Sequence, residues 1–71
     1  MTDSKLLRDV LRESGYKLLY AANICGLTYA GFLNKLNNET EFKASEIGAL
    51  KKLLQLTDAE INTIFFAPEV H

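Results

Sequence analysis

Few residues in this sequence have the types and spacing that covalent chemistry needs. Its one cysteine, Cys25, and its one histidine, His71, stand far apart, and its acids are scattered, so no nucleophile–base pair and no metal-ligand spacing emerges. Catalysis wants ionisable groups converging in a pocket, and a chain of 71 residues leaves little room for one. No enzyme, metal site or cofactor is expected. Cys25 reads as a small buried apolar residue, and His71 is assigned nothing. The chemistry on offer is recognition. "GLTYAGFLNKLNN" (26–38) gathers the hydroxyls of Thr28 and Tyr29 and the amides of Asn34, Asn37 and Asn38 around a single charge, Lys35. On a wheel of about 100° per residue, Phe32 and Leu36 point inward. Ala30, Asn34 and Asn37 point away, with Tyr29 and Leu33 on the flank. A surface helix normally sets an apolar stripe against a charged face. This one is built to be inserted into something.

Positioning that segment falls to helices on either side. Leu6, Leu7, Val10 and Leu11 form one stripe, with Thr2 to Ser4 as caps and Gly15 as a stop, predicting a helix over about 4–14. Leu18, Ala21, Ala22 and Cys25 form a second stripe over 17–25, closed by Gly26. Thr28 is a good N-cap for a third helix over 29–36. "NNETEF" (37–42) is polar and reads as a loop. Ile47, Leu50, Leu53 and Leu54 give a fourth stripe over 44–54, with Glu46 placed early to favour its start and Lys43 where a capping threonine would be expected. "TDAE" (57–60) is a capping box, opening a fifth helix over 58–66 through Ile61, Ile64 and Phe65. Residues 67–71 form a tail that leaves the helix before Pro68. The expected fold is all-α: one compact five-helix domain.

Length and charge bound the possible partners. A chain this short buries only about 60% of its unfolded surface, so its core leaves a thin margin. Residues 1–56 hold eight bases against six acids, a balance of +2, and residues 57–71 hold three acids and no base, giving −1 overall. The longest apolar run, "LLYAA" (18–22), is far short of a membrane span, and no secretory leader is read. With a single cysteine, a reducing, cytoplasmic setting is expected.

Ala22, Gly26, Phe32 and Leu36 lie four, six and four residues apart. A small residue allows close helix crossing, the glycine turns the chain, and the two larger residues anchor the next helix: a helix-turn-helix. Here the chain resembles the Cro/Xre-type helix-turn-helix regulators of phages and bacteria. The resemblance is carried by "YAANICGLTYAGFLNKLNN" (20–38), "TEFKASEI" (40–47) and "LLQLTDAEINTIFF" (53–66). It implies a lambda-repressor-like five-helix domain over 1–66 whose third helix enters the DNA major groove. It also implies a role in choosing between dormant and lytic phage programmes in a bacterial host cell.

Carried over by position, the resemblance makes Thr28, Tyr29, Ala30, Leu33 and Asn34 the residues that contact bases, or a protein partner. Asn34 can form a bidentate pair with adenine, and Ala30 and Leu33 can meet thymine methyls. Lys17, Lys35, Asn37 and Asn38 are the expected phosphate contacts. Duplex operator DNA is the first partner implied. The family also contains modulators of repression, or antirepressors, that bind and inactivate a phage repressor, and Tyr29 would suit such an interface as an anchor. A homodimer is the third partner, with Phe65, Phe66 and Val70 as its apolar patch.

Overall fold

A computed structural model describes residues 1–68. The chain forms α1 (Ser4–Ser14), α2 (Leu18–Ile24), α3 (Tyr29–Leu36), α4 (Ala44–Leu54) and α5 (Asp58–Phe65), with no strand among the described residues. This is the all-α, five-helix architecture that the apolar stripes predict. Two helices are shorter than expected. Lys17 stays outside α2 because its backbone is extended (φ −72°, ψ 150°), and Cys25 caps the other end. Phe66, at φ −122°, has already left α5.

Each helix starts for a local reason. Asp3 Oδ1 accepts the Leu6 N–H at 3.0 Å, and Thr28 Oγ1 accepts the Gly31 N–H at 3.0 Å. Thr57 and Glu60 exchange the two bonds of a capping box, at 2.9 and 3.1 Å. The ammonium of Lys43 can accept nothing, so the Glu46 carboxylate takes over at α4 and accepts the Lys43 N–H at 2.8 Å. The ends follow a common pattern. After α2, the Gly26 N–H reaches Asn23 O at 3.0 Å and the Leu27 N–H reaches Ala22 O at 2.9 Å, with Gly26 at φ 72°. After α3, Asn38 (φ 64°) takes the glycine's part, donating to Lys35 O while the Glu39 N–H reaches Asn34 O at 2.8 Å. Gln55 (φ 54°) does the same after α4. Asparagine tolerates this conformation better than most residues.

Leu7, Leu11, Ala21, Ala22, Phe32, Leu36, Leu50 and Ile64 are almost wholly withdrawn from solvent and make the centre of the core. Phe42 is buried too, although it belongs to the segment that reads as a polar loop. Its ring meets Phe32 edge-on at 5.8 Å and Phe65 at 5.4 Å, so it bridges α3 to α5. α4 packs against α1, α2 and α5, whereas α3 packs chiefly against α2. Besides Phe32 and Leu36 in the core, α3 and the two residues after it are held by polar ties. Lys35 Nζ lies 2.5 Å from Glu46 Oε1 on α4. Arg8 Nη2 of α1 donates to Asn37 Oδ1 at 2.9 Å. Asn38 accepts the Thr2 N–H at 2.9 Å and donates to Thr2 O at 2.8 Å. Residues 1–3 and 64–67 meet behind that last tie: Asp3 N–H to Ile64 O, Ala67 N–H to Met1 O, and the Met1 amine to Ala67 O.

The Lys35–Glu46 pair has side chains only 11% and 7% exposed. Burial by itself would raise the Glu46 carboxyl, but the Lys35 ammonium and the Lys43 N–H outweigh it and hold the group below its ordinary range. A carboxyl lowered on folding stabilises the fold above its unfolded pKa of about 4.3, and that stabilisation is lost as pH falls through the folded value. Lys35→Met leaves a buried carboxylate without its cation, which costs about 3 kcal/mol at neutral pH. In a domain of this size that lowers Tm by roughly 12–24 °C. Because the unpaired carboxyl then prefers its proton, the gap to the parent chain narrows as pH drops below about 5. Thermal melts of both proteins at several pH values read this directly.

Candidate functional site

The α2–α3 corner presents α3 through a chain of local causes. The hydrogen bonds around Gly26 end α2, and Leu27 tucks half-buried against the core. Thr28 (φ −67°, ψ 160°) then caps the next helix. Gly31, an unfavourable residue in a helix, has a reason to be there. A Cβ at that position would stand 3.1 Å from Thr28 Oγ1, pressing on the hydroxyl that caps α3.

Of the residues expected to contact a partner, Thr28, Tyr29, Ala30 and Asn34 are exposed: Ala30 and Asn34 lie opposite the fully buried Phe32 and Leu36, and Thr28 and Tyr29 stand at the start of α3. Leu33 is half-buried and packs against the core, so only part of it faces outward. Lys17 is exposed at the start of α2. Two of the expected phosphate contacts are engaged within the fold. Lys35 does not reach solvent as a free cation, because its ammonium is buried against Glu46. Asn38 has both ends of its amide bonded to the Thr2 backbone, so it fastens α3 to the N-terminal segment. Asn37 is exposed, but its carbonyl oxygen already accepts from Arg8. The expected dimer patch also changes. Phe65 belongs to the core, Phe66 is exposed, and Val70 lies outside the described residues.

One surface feature is absent from the sequence reading. An open groove of about 820 Å³ runs where α1, the Gly15 turn, α2 and the start of α3 meet. Leu11 and Leu18 lie at its base, Tyr16, Leu19 and Tyr29 line it, and Arg8, Arg12 and Lys17 supply its charges. Tyr16 stacks on Tyr20 with ring centroids 5.4 Å apart. Leu19, Tyr20 and Ile24 are all exposed beside them. The signal was the excess of apolar residues around α2: Tyr16 just ahead of it and Leu19, Tyr20 and Ile24 on it lie outside the row that accounts for the core.

The ionisable groups elsewhere do structural work. Cys25 Sγ is 3.8 Å from Glu46 O, and burial, helped by the Glu46 carboxylate, pushes its thiol up to about 11. It stays protonated at neutral pH and is a poor nucleophile. Among the described residues no three His, Cys, Asp or Glu side chains converge on a common point, and no helix is long and apolar enough to cross a membrane. No protein-family model, no curated protein and no solved structure matches the chain.

Nothing lies within 4 Å of a Cβ built on Gly26, so a side chain there meets only the conformational penalty of φ 72°. Gly26→Ala is expected to cost about 1–2 kcal/mol. Urea unfolding should show a lower midpoint and an unchanged slope, since the folded surface is the same.

Proposed function

We propose that the chain is a Cro/Xre-type helix-turn-helix regulator of phage or prophage transcription, acting in the cytoplasm of a bacterial host on duplex DNA. The observation that carries this reading is the division of α3. Phe32 and Leu36 are wholly buried, whereas Ala30 and Asn34 on the opposite side and Thr28 and Tyr29 at the helix start are exposed. A helix held from behind and free in front is what major-groove docking uses. Asn34 would pair with adenine, Ala30 would meet a thymine methyl, and the hydroxyls of Thr28 and Tyr29 would reach bases or phosphates. With Lys35 and Asn38 taken by the fold, Lys17 supplies phosphate contact together with the remaining donors of Arg8 and Arg12, whose guanidinium groups also bond Asn37 and Asp9 and line the groove that Tyr29 borders. One short helix makes few contacts, so two copies on half-sites about 34 Å apart are expected.

Fluorescence anisotropy with duplexes from phage regulatory regions tests this. Three neutralised phosphates per protomer give a plot of log K against log salt with a slope of about −2.7 per protomer. Asn34→Ala is expected to lose about 1–3 kcal/mol of discrimination at one adenine while keeping that slope. No binding at low salt by micromolar protein overturns the reading.

A second reading is favoured by one specific observation. Once Lys35 is paired with Glu46, the outer side of α3 carries no charge, and Tyr29 continues into the exposed apolar surface of Tyr16 and Leu19. Such a face suits a modulator of repression that binds a phage repressor by protein contact. Calorimetry with the repressor separates the two readings. Under this one, Tyr29→Ala weakens the protein complex by about tenfold or more, and DNA is not bound.

A further inference from the structure

The groove between α1 and α2 holds a concentration of charge that the chain as a whole does not. The protein carries a net −1, yet every charged residue lining this groove is a cation: Arg8, Arg12 and Lys17. Asp9 bonds both Lys5 and Arg12 but does not line the groove, and Arg8 donates one of its bonds to the neutral amide of Asn37, so the lining carries no acid. Between the cations lie Tyr16, Leu19 and Tyr29, of which Leu19 is 54% exposed and Tyr29 45%.

We infer that this groove is a docking site for an amphipathic helix of another protein, one whose apolar stripe is flanked by carboxylates. Arg8 and Arg12 are four residues apart on α1, about 6 Å along it, which is also the repeat of carboxylates one turn apart on a partner helix. Leu19 and the tyrosine rings receive the partner's apolar anchors, and the guanidinium groups and Lys17 receive its acids. A basic surface is the wrong partner for this rim, since like charges brought together oppose docking. The described residues include no strand, so they offer no free sheet edge for an extended peptide to join. Tyr29 is common to the groove and to the outer side of α3. A helix seated here therefore covers part of the surface that α3 would present to any other partner. The inference stands whether or not α3 binds DNA.

The test uses the full chain labelled for amide NMR and two synthetic amphipathic peptides of about 18 residues, long enough to form a helix. Both carry leucines one turn apart; one flanks them with glutamates, the other with lysines. The glutamate peptide is expected to shift the amides around Arg12, Leu19 and Tyr29 and to bind at least about tenfold more tightly than the lysine peptide at low salt. Leu19→Asp should weaken the glutamate peptide about tenfold without lowering the melting temperature, because that side chain is exposed. The double variant Arg12→Glu, Lys17→Glu should reverse the preference between the peptides. Equal affinities, shifts confined to another surface, or no shift at millimolar peptide overturn the inference. So do groove shifts that grow with the concentration of the chain alone, which assign the groove to a second copy. Groove shifts with duplex DNA but with neither peptide assign it to nucleic acid and overturn it as well.

Discussion

The contact between Lys35 and Glu46 is the constraint on which the rest of this structure depends. Glu46 stands where three helices come together: its carboxylate starts α4, the same carboxylate holds the ammonium of α3, and its carbonyl accepts from Cys25 at the end of α2. A carboxylate withdrawn from water must keep nearly all of its partners, because the attraction that remains has to offset a large loss of hydration. Any sliding of α3 along α4 would leave that carboxylate with the Lys43 N–H alone. An apolar pair of similar volume would hold the helices about as strongly but would tolerate more positions. α3 is therefore secured by a contact that penalises displacement as well as detachment.

The same contact decides the character of the exposed face. By withdrawing the one cation of α3 into the interior, the fold leaves an outward side made of hydroxyl, amide, methyl and aromatic groups. Recognition by such a face rests on shape and hydrogen bonding, while charge is supplied from α1 and from Lys17. Under the proposed reading the two tasks fall to neighbouring elements, specific contact to α3 and electrostatic attraction to the groove beside it.

How much of this was legible in the sequence follows from the reach of each signal. Helix positions, the stop at Gly26, the capping box at Thr57 and the inward pair Phe32 and Leu36 all arise from residues within a turn or two of each other, and periodicity exposes them. The Lys35–Glu46 pair joins residues eleven apart on different helices, and no periodic pattern marks it. The sequence alone therefore leaves Lys35 among the expected phosphate contacts. Phe42 was obscured by polar neighbours, although its partners Phe32 and Phe65 come from well-marked stripes. The groove was hidden for the opposite reason. α2 is apolar nearly all round, and a helix of that kind gives no indication of which row faces solvent. Asn38 is an intermediate case: an asparagine after a helix is a natural left-handed terminator, but its grip on Thr2 needs the chain's two distant parts to meet.

That meeting has a kinetic meaning. Met1 and Ala67 are separated by 66 positions, nearly the whole chain, and their hydrogen bonds help to place the Thr2 backbone that Asn38 holds. Contacts between distant residues close slowly, since the entropy of joining the ends must be overcome before they contribute. The residues of α1 to α4 are synthesised before Ile64 and Ala67. The exit of α3 acquires its final footing only when the last helix has been made. A nascent chain that stops short of Ile64 would possess α3 and still lack the seat that aims it.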